Sequence, residues 1–316
     1  MNYGALISET FWLALRNRFL WVFGFFLGGG QIFNLLQNAN NLSRLEILSF
    51  LGDDVVSFVS EVRQLVIDNL VLVLGFALAL VLVGIFLALI AEGALIDGVA
   101  ALHRGEERSF SSAFQAGLSN FWRVLGFSAL FVLIAFVVGI VVVLTMVVTL
   151  LTLSATNSSR AGMALFVLVV LLLVGMFILV FVPLGIIVQL GLRALVVDRG
   201  GVFGSFGDGY DLLRRRLGRV LLVWVIGLAL SLGATVALLI AALLLGLLLS
   251  IPALILFAAE LSTAGTMAGL VAAVILLIAL VLASAAIATF NHAYWTLAYL
   301  RLTAEEDAGV ERQVLG

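Results

Sequence analysis

Cysteine and lysine are both absent from the 316 residues. The first absence removes disulfides, thiolate chemistry and cysteine metal sites. The second removes the P-loop lysine, Schiff-base chemistry and Ser–Lys nucleophiles, and makes all 16 basic residues arginine. Charge is scarce as well: Asp, Glu, Lys and Arg together make up 11%, where a soluble domain carries about 25%. What fills the space is apolar, 64% of the residues, with a mean hydropathy of +1.29. Lipid is therefore the solvent for most of this chain. In lipid every backbone N–H and C=O must be satisfied internally, so only helices or a closed barrel can span. A barrel needs alternating segments of about 10 residues. The runs here are continuous and about 20 residues or longer, so the fold class is all-α, a polytopic membrane protein.

The organising stretch is 109–125, SFSSAFQAGLSNFWRVL. It reads as an amphipathic helix opening into an apolar run. Moved 96 positions it meets 205–221, SFGDGYDLLRRRLGRVL, with Phe110 on Phe206, Phe114 on Tyr210, and Arg123-Val124-Leu125 on Arg219-Val220-Leu221. Moved back 103 positions, Phe114 meets Phe11, Leu118 meets Leu15 and Asn120 meets Asn17. The pattern predicts three parallel two-span repeats, each led by an elbow helix. Unit 1 is 1–109 with an outer amphipathic insertion at 31–67; unit 2 is 110–204; unit 3 is 205–303; a polar, poorly ordered tail follows at 304–316. Six spans are expected: 20–27, 71–91, 124–151, 161–187, 220–249 and 267–289. The first is short for a bilayer, which takes about 20 residues, and Gly28-Gly29-Gly30 ends it.

Local signals refine this plan. Ser112 with Gln115 reads as a capping box, and the aligned Asp208 as another N-cap. Pro183 is expected to kink its span, and Pro252 to stop or bend the fifth. Glu260 marks the turn between the last two spans. Arg16 and Arg18 lie within the first apolar segment with no small-residue cleavage site after them, so insertion is expected to use the first span. The elbow side carries 13 arginines and the opposite side three, Arg44, Arg63 and Arg160. That bias puts both termini in the cytoplasm, and a bacterial cytoplasmic (inner) membrane is the expected location.

The unit 193–221, RALVVDRGGVFGSFGDGYDLLRRRLGRVL, joins an arginine, an apolar run, an acidic residue with glycines, and an elbow opening into a basic span start. It resembles the membrane domain found beside glycerophosphoryl diester phosphodiesterases, and related bacterial six-span families of unknown function. The resemblance covers nearly the whole chain in layout. It implies the fold and supplies no catalytic residues within the membrane part. The soluble phosphodiesterase barrel such proteins can carry has no counterpart in this sequence.

The candidate site residues come from the repeat alignment and from charge. Glu92, Gln189 and Asn291 align by shifts of 97 and 102, which also align Arg199 with Arg301. Facing inward, the three form a polar ring around a pseudo-threefold axis and line a path. Otherwise each sits at the headgroup boundary, where polar groups cost little. Asp97, Arg193 and Asp198 could tie one unit to the next, or be ordinary interfacial charges. Arg214, Arg215, Arg216 and Arg219 would meet anionic lipid headgroups on an interfacial helix, and also set topology. The glycine-rich link 200–209 lacks a preceding strand and a lysine, so it reads as a flexible hinge and not a phosphate cradle. His103 and His292 show no metal-ligand spacing, and His292 beside Tyr294 and Trp295 reads as an aromatic belt position. GxSxG is absent.

These observations lead to an expectation of no catalytic residue, no metal and no cofactor. The expected partners are the bilayer, anionic lipid headgroups at the cytoplasmic face, and membrane proteins or further copies of the chain. Nucleic acid is not expected at a net charge of −2. The leading function is a non-enzymatic membrane scaffold or accessory subunit. Its rivals are a transporter with a path at Glu92, Gln189 and Asn291, and an interfacial lipid enzyme built on Asp97, His103 and Glu106.

Overall fold

The computed structural model describes residues 2–28, 61, 64–65, 67–155 and 160–315, and every regular element among them is α-helix. The helices are α1 (Tyr3–Arg16), α2 (20–28), α3 (Leu70–His103), α4 (Phe110–Ala155), α5 (Arg160–Val197), α6 (Val202–Arg215), α7 (Leu217–Ala258) and α8 (Ser262–Leu315). Five of them, α3, α4, α5, α7 and α8, are long and apolar enough to cross a membrane. A span needs about 20 apolar residues at 1.5 Å each, and these helices exceed it. The chain is thus all-α with the character of a multi-pass membrane protein. The first expected span is helical over 20–28, and Gly29-Gly30 beyond it lie outside the described residues, as does most of the insertion at 31–67.

The helix ends are capped by recognisable chemistry. Asn2 starts α1, its Oδ1 accepting from the Ala5 N–H at 3.1 Å. The chain breaks at Asn17, and Trp21 Nε1 donates to the Ala14 carbonyl at 2.9 Å, satisfying one of the acceptors the broken helix leaves open. At α4 the cap lies one turn earlier than the sequence suggests. Ser109 Oγ accepts from the Ser112 N–H at 3.3 Å, and Ser112 Oγ accepts from the Ser109 N–H at 3.0 Å. This is a reciprocal box with serine in the position usually held by Glu or Gln. α3 ends on Gly105 at φ +80, with the Glu106 N–H reaching the Ala101 carbonyl, and α7 ends the same way on Glu260 at φ +60, with Leu261 reaching Leu256.

Four local expectations are corrected. Asp208 lies inside α6, which starts after Gly201, so it is not an N-cap. The glycine link 200–209 is helical from Val202 and not a hinge, and Gly209 within it lies close against Ile187 and Gly191. Of the two expectations for Pro252, to stop or to bend its span, the stop is overturned, since α7 continues to Ala258, as spanning helices often tolerate proline. The tail at 304–315 continues α8 as helix.

The chain divides into two compact units, Met1–Leu118 with Val225–Gly316, and Ser119–Trp224. In the first, α1 lays Leu6, Thr10 and Ala14 against α8 at i, i+4 spacing. α3 packs on α8 as well. Close approach is bought with small residues: a Cβ on Gly24 would overlap the Ala285 carbonyl and Thr289, and one on Gly117 would overlap the Ile90 carbonyl. In the second unit α6 packs on α5. There a Cβ on Gly209 would come within 2.6 Å of the Ile187 carbonyl, and one on Gly191 within 2.7 Å of the Ser205 carbonyl.

Burial is confined to part of each helix. In α3 the side chains of 70–86 are exposed around almost the whole circumference, while those of 89–101 are nearly all buried. The same change occurs near 184 in α5 and near 284 in α8. Polar contacts between helices therefore gather at the buried ends.

Candidate functional site

The richest side-chain constellation in the first unit is centred on Glu9. One face of α1 is buried on α8, and this places Glu9, next to buried Thr10, between the ends of α3 and α8. Its Oε1 lies 2.6 Å from His103 Nδ1, at the last residue of α3. Its Oε2 accepts from Arg301 Nη2 on α8. Arg301 Nη1 also donates to the Asn2 carbonyl at 3.2 Å. An ionised carboxylate only accepts, so Nδ1 of His103 carries the proton of that bond. Burial pushes the Glu9 carboxyl up, but the hydrogen bonds and charges of His103 and Arg301 outweigh it and hold it below the ordinary glutamate value.

The other interfacial charges are committed elsewhere. Asp97 forms an ion pair with Arg108 at 3.2 Å. Glu106 accepts from Arg104 Nε at 2.9 Å and lies 3.6 Å from Arg108. Arg108 thus stands between Asp97 and Glu106, while His103 turns away from both to Glu9. Among the described residues no three His, Asp or Glu side chains stand close enough to hold a metal.

The aligned polar residues have local partners. Asn291 Nδ2 donates to Ser231 Oγ of α7 at 2.8 Å. Gln189 accepts through its backbone carbonyl, at 2.8 Å, and through its side-chain oxygen, both from Arg193 one turn on. Arg193 is fully buried, and this backbone contact satisfies part of its guanidinium. Glu92 is half-buried on α3. Glu92 and Asn291 belong to the first unit, as does Asp97; Gln189, Arg193 and Asp198 belong to the second. Arg214, Arg215 and Arg219 are exposed and Arg216 half-buried around the α6–α7 junction, with Arg215 4.0 Å from Asp211.

Beside α1 the first unit carries an open cavity of about 460 Å3. Phe11, Leu15 and Trp21 line one side, Gly233 and Ala237 of α7 another, and Phe290 of α8 a third. Its lining is almost wholly apolar. Asn291 and Ser231 neighbour lining residues in sequence and cross-link α8 to α7 beside it.

Neither the Glu9 cluster nor the cavity is legible in the sequence. Glu9 and Arg301 are 292 positions apart, and only the docking of α1 on α8 joins them. The one signal was the shift that aligned Arg199 with Arg301, which marks the end of a second span as a place for arginine.

No curated protein and no solved structure matches the chain. One family model does match, over residues 11–306, which is nearly the whole length. The chain belongs to this family of unknown function, DUF7544.

Proposed function

We propose that the chain is a non-enzymatic integral membrane scaffold or accessory subunit, acting through contacts with lipid and with other membrane proteins or further copies of itself. The observation that carries this reading is the division of labour along the helices. Large apolar side chains such as Val71, Leu72 and Phe76 face outward over 70–86 of α3, so this half of the helix offers its surface to lipid or to another helix. At the other end ionisable groups are paired within the protein, and Glu9 among them holds α1, α3 and α8 together. A catalytic reading would need Asp97, His103 and Glu106 to converge, and His103 is bonded to Glu9 while the two carboxylates are both paired with Arg108.

In this reading the chain has six spans in three parallel repeats, with termini and elbows in the cytoplasm of a bacterium and the spans in its inner membrane. Burial supports the repeats better than caps do. Thr10, Ala113 and Gly209 are related by the repeat shifts, as are Ala14, Gly117 and Leu213, and all six are buried. Gly117 meets Ile90 and Ala94 of α3, and Gly209 meets Ile187 and Gly191 of α5. Those partner positions are 97 apart, the shift that aligns Glu92 with Gln189. Such a layout is what a resemblance to the membrane domain beside glycerophosphoryl diester phosphodiesterases would imply. Arg214, Arg215, Arg216 and Arg219 add attraction to anionic headgroups, at about 1 kcal/mol each near the surface.

The rival is a permease with a path through Glu92, Gln189 and Asn291. A thiol-accessibility scan separates the two, since the chain has no native cysteine. Single cysteines replace each of the three residues in turn and are probed with an impermeant reagent from both sides. A scaffold gives labelling from the cytoplasmic side alone, at independent rates. Labelling from both sides, or protection of all three by one small molecule, would overturn it in favour of transport.

A further inference from the structure

We infer that the cavity beside α1 is a binding site for one acyl chain of an anionic phospholipid whose phosphate is held by Arg16 and Arg18. The inference rests on the reading of the chain as a membrane protein that contacts lipid, and names the place and the class of lipid. Volume is the first argument. About 460 Å3 falls within the roughly 300–1,000 Å3 of small-molecule sites, and an unfilled space of that size would forfeit the dispersion contacts of its walls. Chemistry is the second. The walls are aliphatic and aromatic, with Phe11, Trp21 and Phe290 around small residues of α7, which suits a flexible hydrocarbon and not a polar solute. The space beside Gly233 is open, since a Cβ there would meet nothing within 4 Å.

Charge is the third argument, and it selects the headgroup. The α1–α2 break puts Arg16 and Arg18 in the chain between two lining residues, Leu15 and Trp21. Both arginines are exposed and neither is ion-paired among the described residues. The α7 and α8 segments that line the cavity, 229–237 and 286–290, contain no ionisable side chain. The acidic residue of α1, Glu9, is engaged by His103 and Arg301. The charge flanking the cavity is therefore positive. Arginine and tryptophan together suit the headgroup level of a bilayer, which puts the phosphate of a lipid and the mouth of the cavity at one depth.

Trp21 lines the cavity and reports its contents. The test uses the full chain with Trp12→Phe, Trp122→Phe, Trp224→Phe and Trp295→Phe, so that Trp21 alone fluoresces. A matched protein keeps only Trp122, which is 76% exposed and reports general lipid. Both are reconstituted in phosphatidylcholine vesicles with increasing bromine-labelled phosphatidylglycerol, and separately with bromine-labelled phosphatidylcholine. Quenching of Trp21 by the anionic lipid is expected to saturate at a mole fraction at least about fivefold below that for Trp122, with no such preference for phosphatidylcholine. Each of Arg16→Gln and Arg18→Gln should weaken the preference by about fivefold, the factor for a single surface arginine. Gly233→Leu, or Ala237→Leu if the first variant folds poorly, should fill the space and remove the saturable phase. Identical titrations of Trp21 and Trp122 would overturn the site, leaving general lipid contact. Trp21 untouched by either lipid while Trp122 is quenched would also overturn it, because protein then fills the cavity. Trp122 untouched as well would overturn the membrane reading itself, and the site with it.

Discussion

Glu9 joins three helices through one side chain, and its chemistry sets what its removal should do. Hydrogen bonds to charged groups contribute about 1.5–3 kcal/mol when sheltered, but Glu9 retains a third of its side-chain exposure and solvent screening lowers that. Glu9→Gln is therefore expected to destabilise the protein by about 1 kcal/mol, measured as a lower melting temperature in detergent. Its carboxyl is held below the ordinary value, so the pair's contribution is complete above the unfolded glutamate pKa and is lost as pH falls through the lower folded value. The wild type should thus lose stability on its acid limb more steeply than Glu9→Gln. Parallel acid limbs would show that the cluster adds nothing. Residue-scale features of this kind were hidden in the sequence. Glu9 stands in the apolar run of an elbow, and nothing local distinguishes it from a solvated glutamate. Candidates chosen by alignment fared differently: Asn291 and Gln189 each have a partner, Ser231 and Arg193, that the repeat shifts do not relate to one another.

Helices were the most legible scale, because a bilayer imposes length and apolarity directly on the sequence. Where the reading went astray, tertiary contact overrode local preference. The run from Gly200 to Gly209 has the composition of a loop, and glycine costs a helix roughly 1 kcal/mol relative to alanine. It is helical because Gly209 lets α6 rest on the carbonyl of Ile187. The helix at 109–125 starts where the sequence reading put it, but its capping box was placed one turn late, because Ser109 and Ser112 are both good caps and bond reciprocally. These contacts give a contrast that can be measured. Gly117→Ala should destabilise by about 1–3 kcal/mol, the usual cost of overpacking, since its Cβ would overlap the Ile90 carbonyl. Gly139→Ala, also in α4 and with open space around its Cβ, should be neutral or raise stability by up to about 1 kcal/mol. Equal melting temperatures for the two variants would contradict the close approach of α4 and α3.

For the whole molecule the proposed feature that no single helix contains is three units pointing the same way across a membrane. The shifts of 96, 97 and 103 and the arginine bias on which the proposal rests are read directly from the sequence. The cavity is not, because its walls come from α1, α2, α7 and α8 and exist only once these pack. The claim has a direct test. Single cysteines at Arg16, Glu106 and Arg216 occupy the end of each elbow or the approach to it, and a fourth at Glu260 occupies the turn between α7 and α8. Each is exposed to an impermeant maleimide in right-side-out and in inverted vesicles. The account predicts that the first three react only in inverted vesicles and the fourth only in right-side-out ones. Reaction of any of the three from the same side as Glu260 would contradict parallel units.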